Sequence, residues 1–189
     1  MSKSLPAKEK IIRTASRLFN AVGVHETGIN RIIAESKVAK KSFYHHFPSK
    51  NKLIAEYFRR KDDAWFSRLE KFTGNAAQSP LEKILGIFDG LKEWYLDPDF
   101  SGCPFIKGLS DFGGNKNDKE LVKCVQNHFE QTSALVEKLL KKARPKDYRR
   151  FIPQIMSLIA GATVVAHATG NASLADINKK IAKTLLLKK

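Results

Sequence analysis

Acidic side chains, cysteines and long apolar runs are all scarce in this 189-residue chain. Two cysteines, Cys103 and Cys124, cannot build the disulfide framework of a small secreted domain. The opening residues, MSKSLPAKEK, carry no apolar signal core. No apolar run approaches the roughly 20 residues that cross a bilayer. No stretch of useful length alternates apolar and polar residues as a strand does, and no repeat or low-complexity tract is present. No Cys-His-acid arrangement stands at motif spacing, so no catalytic residue, metal ligand or cofactor is expected. The expectation is a soluble, cytoplasmic protein in a reducing compartment.

Apolar residues make up 42% of the chain, enough for a real core. Against 19 Asp plus Glu stand 34 Lys plus Arg, a net charge of +15. That excess favours a polyanionic partner, nucleic acid or an acidic membrane, over a merely soluble basic protein. Residues 1–50 carry ten basic and three acidic side chains, a net of +7; residues 51–189 carry 24 against 16, a net of +8. Averaged over these two parts, charge is denser at the N-terminal end.

The apolar pattern is helical nearly throughout. Ile11, Ile12, Ala15, Leu18, Phe19 and Val22 form one helical face, and Gly23 follows where a helix end tolerates positive φ. Thr27 is placed to cap a second helix carrying Ile29, Ile32, Ile33 and Ala34, which ends near Ser36. A third short helix carries Phe43, Tyr44 and Phe47 and stops at Pro48. Ser49 can cap the next helix, which runs to about residue 71. After a polar break at 74–79, Pro80 opens another. Pro104 starts a short helix closed by glycines 113–114. Further helices cover 121–143, 151–168 and 174–187. The fold class is all-α with about nine helices: a small basic N-terminal unit, residues 1–48, and a larger helical body, residues 49–189.

KVAKKSFYHHFPSKNKL, residues 37–53, concentrates the chemistry. Two short helices joined by about three residues, with a third across them, describe a helix-turn-helix. Lys40, Lys41, Ser42, Tyr44 and His45 suit the outer face; Val38, Phe43 and Phe47 suit the inner one. Other readings are a metal pair at His45 and His46, a solvated lysine face, or a membrane-surface helix. Neighbouring residues on a helix point about 100° apart, which does not suit a metal pair. The apolar residues are needed to hold the helices together, which does not suit a membrane face.

Residues 23–54 resemble the DNA-binding region of the TetR family of bacterial regulators. Gly23, Thr27, Ile32, Val38, Phe43, Tyr44, His46, Phe47, Ser49, Lys50 and Leu53 match its pattern at fixed spacing. The resemblance implies that Thr27 holds a phosphate at a helix N-terminus, and that Tyr44, His46 and Lys50 hold phosphates on the opposite flank. It implies that Lys40, Lys41, Ser42 and His45 face base edges, where lysine favours the O6 and N7 acceptors of guanine. Three positions depart from the pattern. Lys37 replaces a turn glycine, at a cost on the order of 1 kcal/mol if its φ is positive. Ala39 replaces a serine cap, a loss of roughly 1 kcal/mol. Lys41 replaces a common glycine. Lys37 and Lys41 add positive charge toward DNA.

The resemblance further implies a ligand-binding and dimerisation domain in the body. Trp65, Phe66, Cys103, Phe105, Phe129 and His167 are the expected lining of an effector pocket, although most body aromatics are ordinary core by default. Cys103 precedes Pro104 in SGCPF, beside a helix start where thiolate is favoured, and a similar Cys in one branch of the family senses oxidants or electrophiles. The alternative is an inert buried thiol. The implied partners are a pseudo-palindromic double-stranded operator, a second copy of the chain through 151–168 and 174–187, and a small apolar or electrophilic effector, with no membrane. An architectural DNA-binding protein without effector, and a redox enzyme acting through Cys103, are the competing functions.

Overall fold

In a computed structural model, residues 5–112 and 118–187 are described. They form nine helices and no strand: α1 (Ala7–Val22), α2 (Ile29–Ser36), α3 (Lys40–His46), α4 (Lys50–Thr73), α5 (Pro80–Tyr95), α6 (Pro104–Phe112), α7 (Lys119–Ala143), α8 (Tyr148–Thr169) and α9 (Leu174–Leu187). The glycine pair expected to close α6 lies outside the described residues.

Packing divides the chain into two units: residues 1–62 with 104–126, and residues 63–103 with 127–189. These units do not follow the division at residue 48, because α6 and the start of α7 join the N-terminal helices and both α4 and α7 contribute to each unit. In the first unit, α1 buries Ile11, Ile12, Ala15, Leu18 and Phe19, the face read from its periodicity. Phe58 stacks near Phe105, with ring centroids 5.1 Å apart, and meets Phe112 edge-on. Arg60 grips Glu9 with two hydrogen bonds of 2.8 and 3.0 Å, tying α4 to α1.

In the second unit, α5, α8 and α9 pack around Leu69, Ile84, Phe88, Leu91, Ile155 and Ile159. Ser79 and Glu82 close a reciprocal capping box at the start of α5, which satisfies two otherwise orphaned N–H groups. Helix α8 spans 22 residues, with a mean hydropathy of 1.5 over its most apolar stretch. That is long and apolar enough to cross a bilayer by length and composition, contrary to the reading of the sequence. Its inner face, Phe151, Ile155, Ile159, Ala162 and Ala166, packs into the core of this unit.

Candidate nucleic-acid interface

Helices α2 and α3 are joined by Lys37, Val38 and Ala39. Lys37 ends α2 in the left-handed conformation, φ 54° and ψ 38°. It is the one described non-glycine residue with positive φ, so the strain expected at this position is present. Ala39 occupies the N-cap of α3 without any side-chain hydrogen bond. The cap that a serine would supply is therefore missing.

Beneath α3 lie Val38, Phe43 and Phe47, all buried, with Phe43 fully so. Phe43 and Phe47 pack at 6.3 Å between ring centroids. On the other side, Lys40, Lys41, Tyr44 and His45 are exposed, while Ser42 and His46 are half-buried. The ammonium groups of Lys37, Lys40 and Lys41 and the Tyr44 hydroxyl have no hydrogen-bond or ion-pair partner among the described residues. The two imidazoles meet edge to face at 5.2 Å, which turns them to different directions. A seven-residue helix thus holds a hydrophobic underside and an upper side of unspent donors, the arrangement that phosphates and base edges require.

Two expected site residues are placed differently from the sequence reading. Thr27 is fully buried, and its hydroxyl donates 2.7 Å inward to the Gly23 carbonyl. The N-cap of α2 is Gly28, with no side-chain cap. Thr27 therefore locks the α1–α2 turn, and its hydroxyl proton is not free for a phosphate. Gly28 and Asn30, both exposed at the open N-terminus of α2, stand where that contact was expected, and sequence reasoning passed over them. The signal available was the small residue just before Ile29. Lys50 is half-buried and donates 2.9 Å to the His25 carbonyl. Burial pushes its ammonium below the ordinary lysine value, against the opposing pull of Glu26 and Asp118. Lys50 thus spends a donor within the protein, unlike Lys40 and Lys41.

The residues expected to line an effector pocket are divided between the two units. Phe105 belongs to the first unit and is buried against Phe58, because its ring faces α4. Trp65, Phe66, Cys103, Phe129 and His167 belong to the second. There Trp65 Nε1 donates to Thr132 Oγ1 at 3.4 Å, and Phe66 lies 6.4 Å from the His128 ring. Phe129 is half-buried. His167 is exposed beside Phe100, at 6.0 Å. Cys103 is buried. Burial also pushes the Cys124 thiol up, helped by Glu120 and Asp62, which keeps it protonated and poorly nucleophilic. Among the described residues, no group of three or more His, Cys, Asp or Glu side chains is arranged for a metal ion.

Residues 11–57 match the profile of the bacterial regulatory proteins of the tetR family. The uncharacterized HTH-type transcriptional regulator YxaF of Bacillus subtilis is 49% identical over 49 residues, 26% of each chain. The HTH-type transcriptional repressor KstR2 of Mycolicibacterium smegmatis is 30% identical over 87 residues, 46% of this chain and 42% of its own. The chain thus spans about a quarter of the first relative and less than half of the second. Over nearly the whole length, the fold resembles SCO4454, a TetR-family transcriptional regulator from Streptomyces coelicolor, with a TM-score of 0.86 at 21% identity, covering 95% of this chain and 94% of that one. The chain is thus similar to the tetR-family regulators over residues 11–57, and the fold across its length is that of a TetR-family regulator.

Proposed function

We propose that this protein is a dimeric transcriptional repressor that binds a pseudo-palindromic operator through α3 and leaves it when a small effector binds the body. The observation that carries the reading is the α2–α3 pair: apolar side chains locked beneath, and Lys37, Lys40, Lys41 and Tyr44 with unspent polar groups above. Residues 1–48 act as the DNA-reading part and 49–189 as the ligand-binding and dimerisation part. Lys40, Lys41, Ser42 and His45 face bases; Tyr44 and His46 face phosphates, with Lys37 adding charge at the turn. Lys50 contributes to the phosphate flank while anchored to His25. At the other flank the N-terminus of α2 takes the phosphate that Thr27 does not.

Dimerisation through α8 and α9 is supported by what these helices leave uncovered. Val164, Val165, Ile177 and Ile181 are each more than 40% exposed. A Cβ at Gly161 would meet nothing within 4 Å. Open apolar side chains beside an open glycine suit close helix approach by a second copy. The reading as a repressor is supported by the name of KstR2, 30% identical over 87 residues. The effector class is a small apolar or electrophilic molecule, and the compartment is the cytoplasm.

Selection from a pool of randomised duplexes tests the reading. A pseudo-palindromic consensus is expected, bound with steep salt dependence and lost in Lys40→Ala/Lys41→Ala. Binding that shows no preference over random sequence at any salt concentration overturns it.

A further inference from the structure

The +8 carried by residues 51–189 is not spread evenly. Residues 51–136 hold twelve Lys/Arg against thirteen Asp/Glu, whereas residues 137–189 hold twelve against three, a net of +9. The C-terminal segment is therefore more basic than the reading head, and α3 accounts for none of it.

Two stretches supply this charge: the turn between α7 and α8, KLLKKARPKDYRR at 138–150, and helix α9. Within the second unit they meet. Arg144 Nη1 donates 2.7 Å to the Leu186 carbonyl, so the turn abuts the C-terminal end of α9. Helices α5 and α9 run antiparallel, with Lys92 held to Asp176 at 2.7 Å and Lys179 to Asp89 at 2.6 Å. That pairing brings Lys183 to the start of α5, where it shares a cleft of about 480 Å³ with Gln78, Glu82, Lys179 and Lys180.

The carboxylates at this end are already engaged. Glu137 holds Lys141 at 2.9 Å. Asp147 takes Arg144 at 2.7 Å and Arg150 at 3.5 Å. Asp89 takes Lys179, and Glu82 accepts the Ser79 N–H at 2.7 Å. Lys138, Lys142, Lys146, Lys180 and Lys183 are exposed, and their ammonium groups have no partner among the described residues. Arg149 and Lys141 lie against the Tyr148 ring at 5.7 and 5.3 Å, which holds two more cations at the surface.

We propose that this basic end of the second unit is a further nucleic-acid surface, which holds duplex DNA by its phosphates without reading bases. The idea stands independently of whether α3 reads an operator. Between residues 137 and 150, the part of this surface that carries the argument, no large apolar side chain is exposed, since Leu139 and Leu140 are buried and Tyr148 is covered by cations; the exposed Ile177, Ile181 and Leu187 all lie on α9. A membrane-binding face places apolar groups among its cations, and a protein interface needs buried anchors. A duplex asks only for cations along a row of phosphates. Flexible lysines on separate helices supply that, and they offer no fixed donor pattern for base edges.

The test uses the full chain and a random-sequence duplex, titrated across salt concentration. The variant Lys142→Gln/Lys146→Gln/Arg149→Gln/Lys180→Gln/Lys183→Gln alters five exposed side chains, and a thermal melt checks that its fold is intact. Each lost phosphate contact lowers the slope of log affinity against log salt by about 0.9, so a fall of about 3 or more is expected, with affinity at low salt down at least roughly tenfold. The separate variant Lys40→Gln/Lys41→Gln should lose sequence preference and keep salt-dependent binding to the random duplex. If the unaltered chain shows no sequence preference, the operator reading fails while the slope still judges this surface. An unchanged slope in the five-site variant overturns the proposal. So does a loss confined to phosphatidylglycerol vesicles, which would make this a membrane surface.

Discussion

Helix pairs α2–α3 and α8–α9 use the same device for opposite ends. In each, the first helix closes on a left-handed residue: Lys37 at φ 54°, ψ 38° after α2, and Gly170 at φ 68°, ψ 11° after α8. In each, one face is buried and the other left open. The open face of α3 carries amines, a phenol and imidazoles; that of α8 and α9 carries valines and isoleucines. An amphipathic helix with an unsatisfied outer face is incomplete, and the chemistry of that face says what completes it. Polar donors call for phosphates and bases. Exposed apolar side chains grouped on two adjoining helices call for another protein surface.

The largest effect that separates the two pairs comes from Phe43→Ala. Phe43 is fully buried beneath α3, so its truncation should cost about 3–5 kcal/mol, and the loss should fall on the reading head. Hydrogen exchange should show opening of α2 and α3 with α8 and α9 still protected. Uniform loss of protection would mean that the head is not separately stabilised. Next comes Ile181→Glu, which places a charge on the open face of α9. Sedimentation should show a shift from dimer to monomer, with the monomer melting within about 0.5 kcal/mol of the parent's own stability, since the site is exposed in the single chain. A dimer that survives would place the interface elsewhere.

These two regions also differ in how far the sequence alone reveals them. The limits of α9 and the roles of Val38, Phe43 and Phe47 follow from periodicity and nearby punctuation. Gly23, Ser49 and Pro80 mark helix ends by local stereochemistry, and the structure has Lys52 N–H donating to Ser49 Oγ at 3.2 Å. The direction of a hydroxyl is a tertiary matter. Thr27 has the right residue type for a cap, yet its oxygen turns to Gly23 because the α1–α2 turn encloses it. Lys50 carries a charge that sequence reads as free, and only packing shows it anchored on His25. The effector lining is the least legible of all, since membership depends on which helix each ring faces. Phe105 packs on Phe58 within the first unit, while Trp65 and Phe66 belong to the second. The basic end near 137–150 was visible in the charges, but averaging over 139 residues concealed it.

A smaller effect probes the open face of α3 itself. Lys40→Ala/Lys41→Ala removes two exposed cations without touching the core, so stability should stay within about 0.5 kcal/mol. Operator binding should weaken, and where both side chains contact phosphate, the salt slope falls by about 1.8. Where they read guanine, the loss instead appears as a relaxed preference at those base pairs, worth about 1–3 kcal/mol for each bidentate contact. Competition with mutated duplexes separates the two outcomes. Equal affinity of variant and parent would remove α3 from the interface.

The smallest effect tests the shared device directly. Lysine in the left-handed region is strained by roughly 1–2 kcal/mol, and glycine there relieves the strain while adding about 0.5–1 kcal/mol of unfolded-chain entropy. The two nearly cancel, so Lys37→Gly should stabilise the head by only about 0.5 kcal/mol. Gly170→Lys should cost about as much, because a Cβ there meets nothing within 4 Å and the backbone conformation is the whole penalty. The two substitutions then part company on DNA. Lys37→Gly should weaken binding as it stabilises the fold, since an exposed cation at the turn is lost. Gly170→Lys should leave DNA binding unchanged in the intact dimer. Chemical denaturation and duplex titration on the same samples measure both signs. If Lys37→Gly raises affinity, the lysine is a tolerated imperfection of the turn; if it lowers affinity while raising stability, the strain is the cost of placing a cation where a phosphate passes.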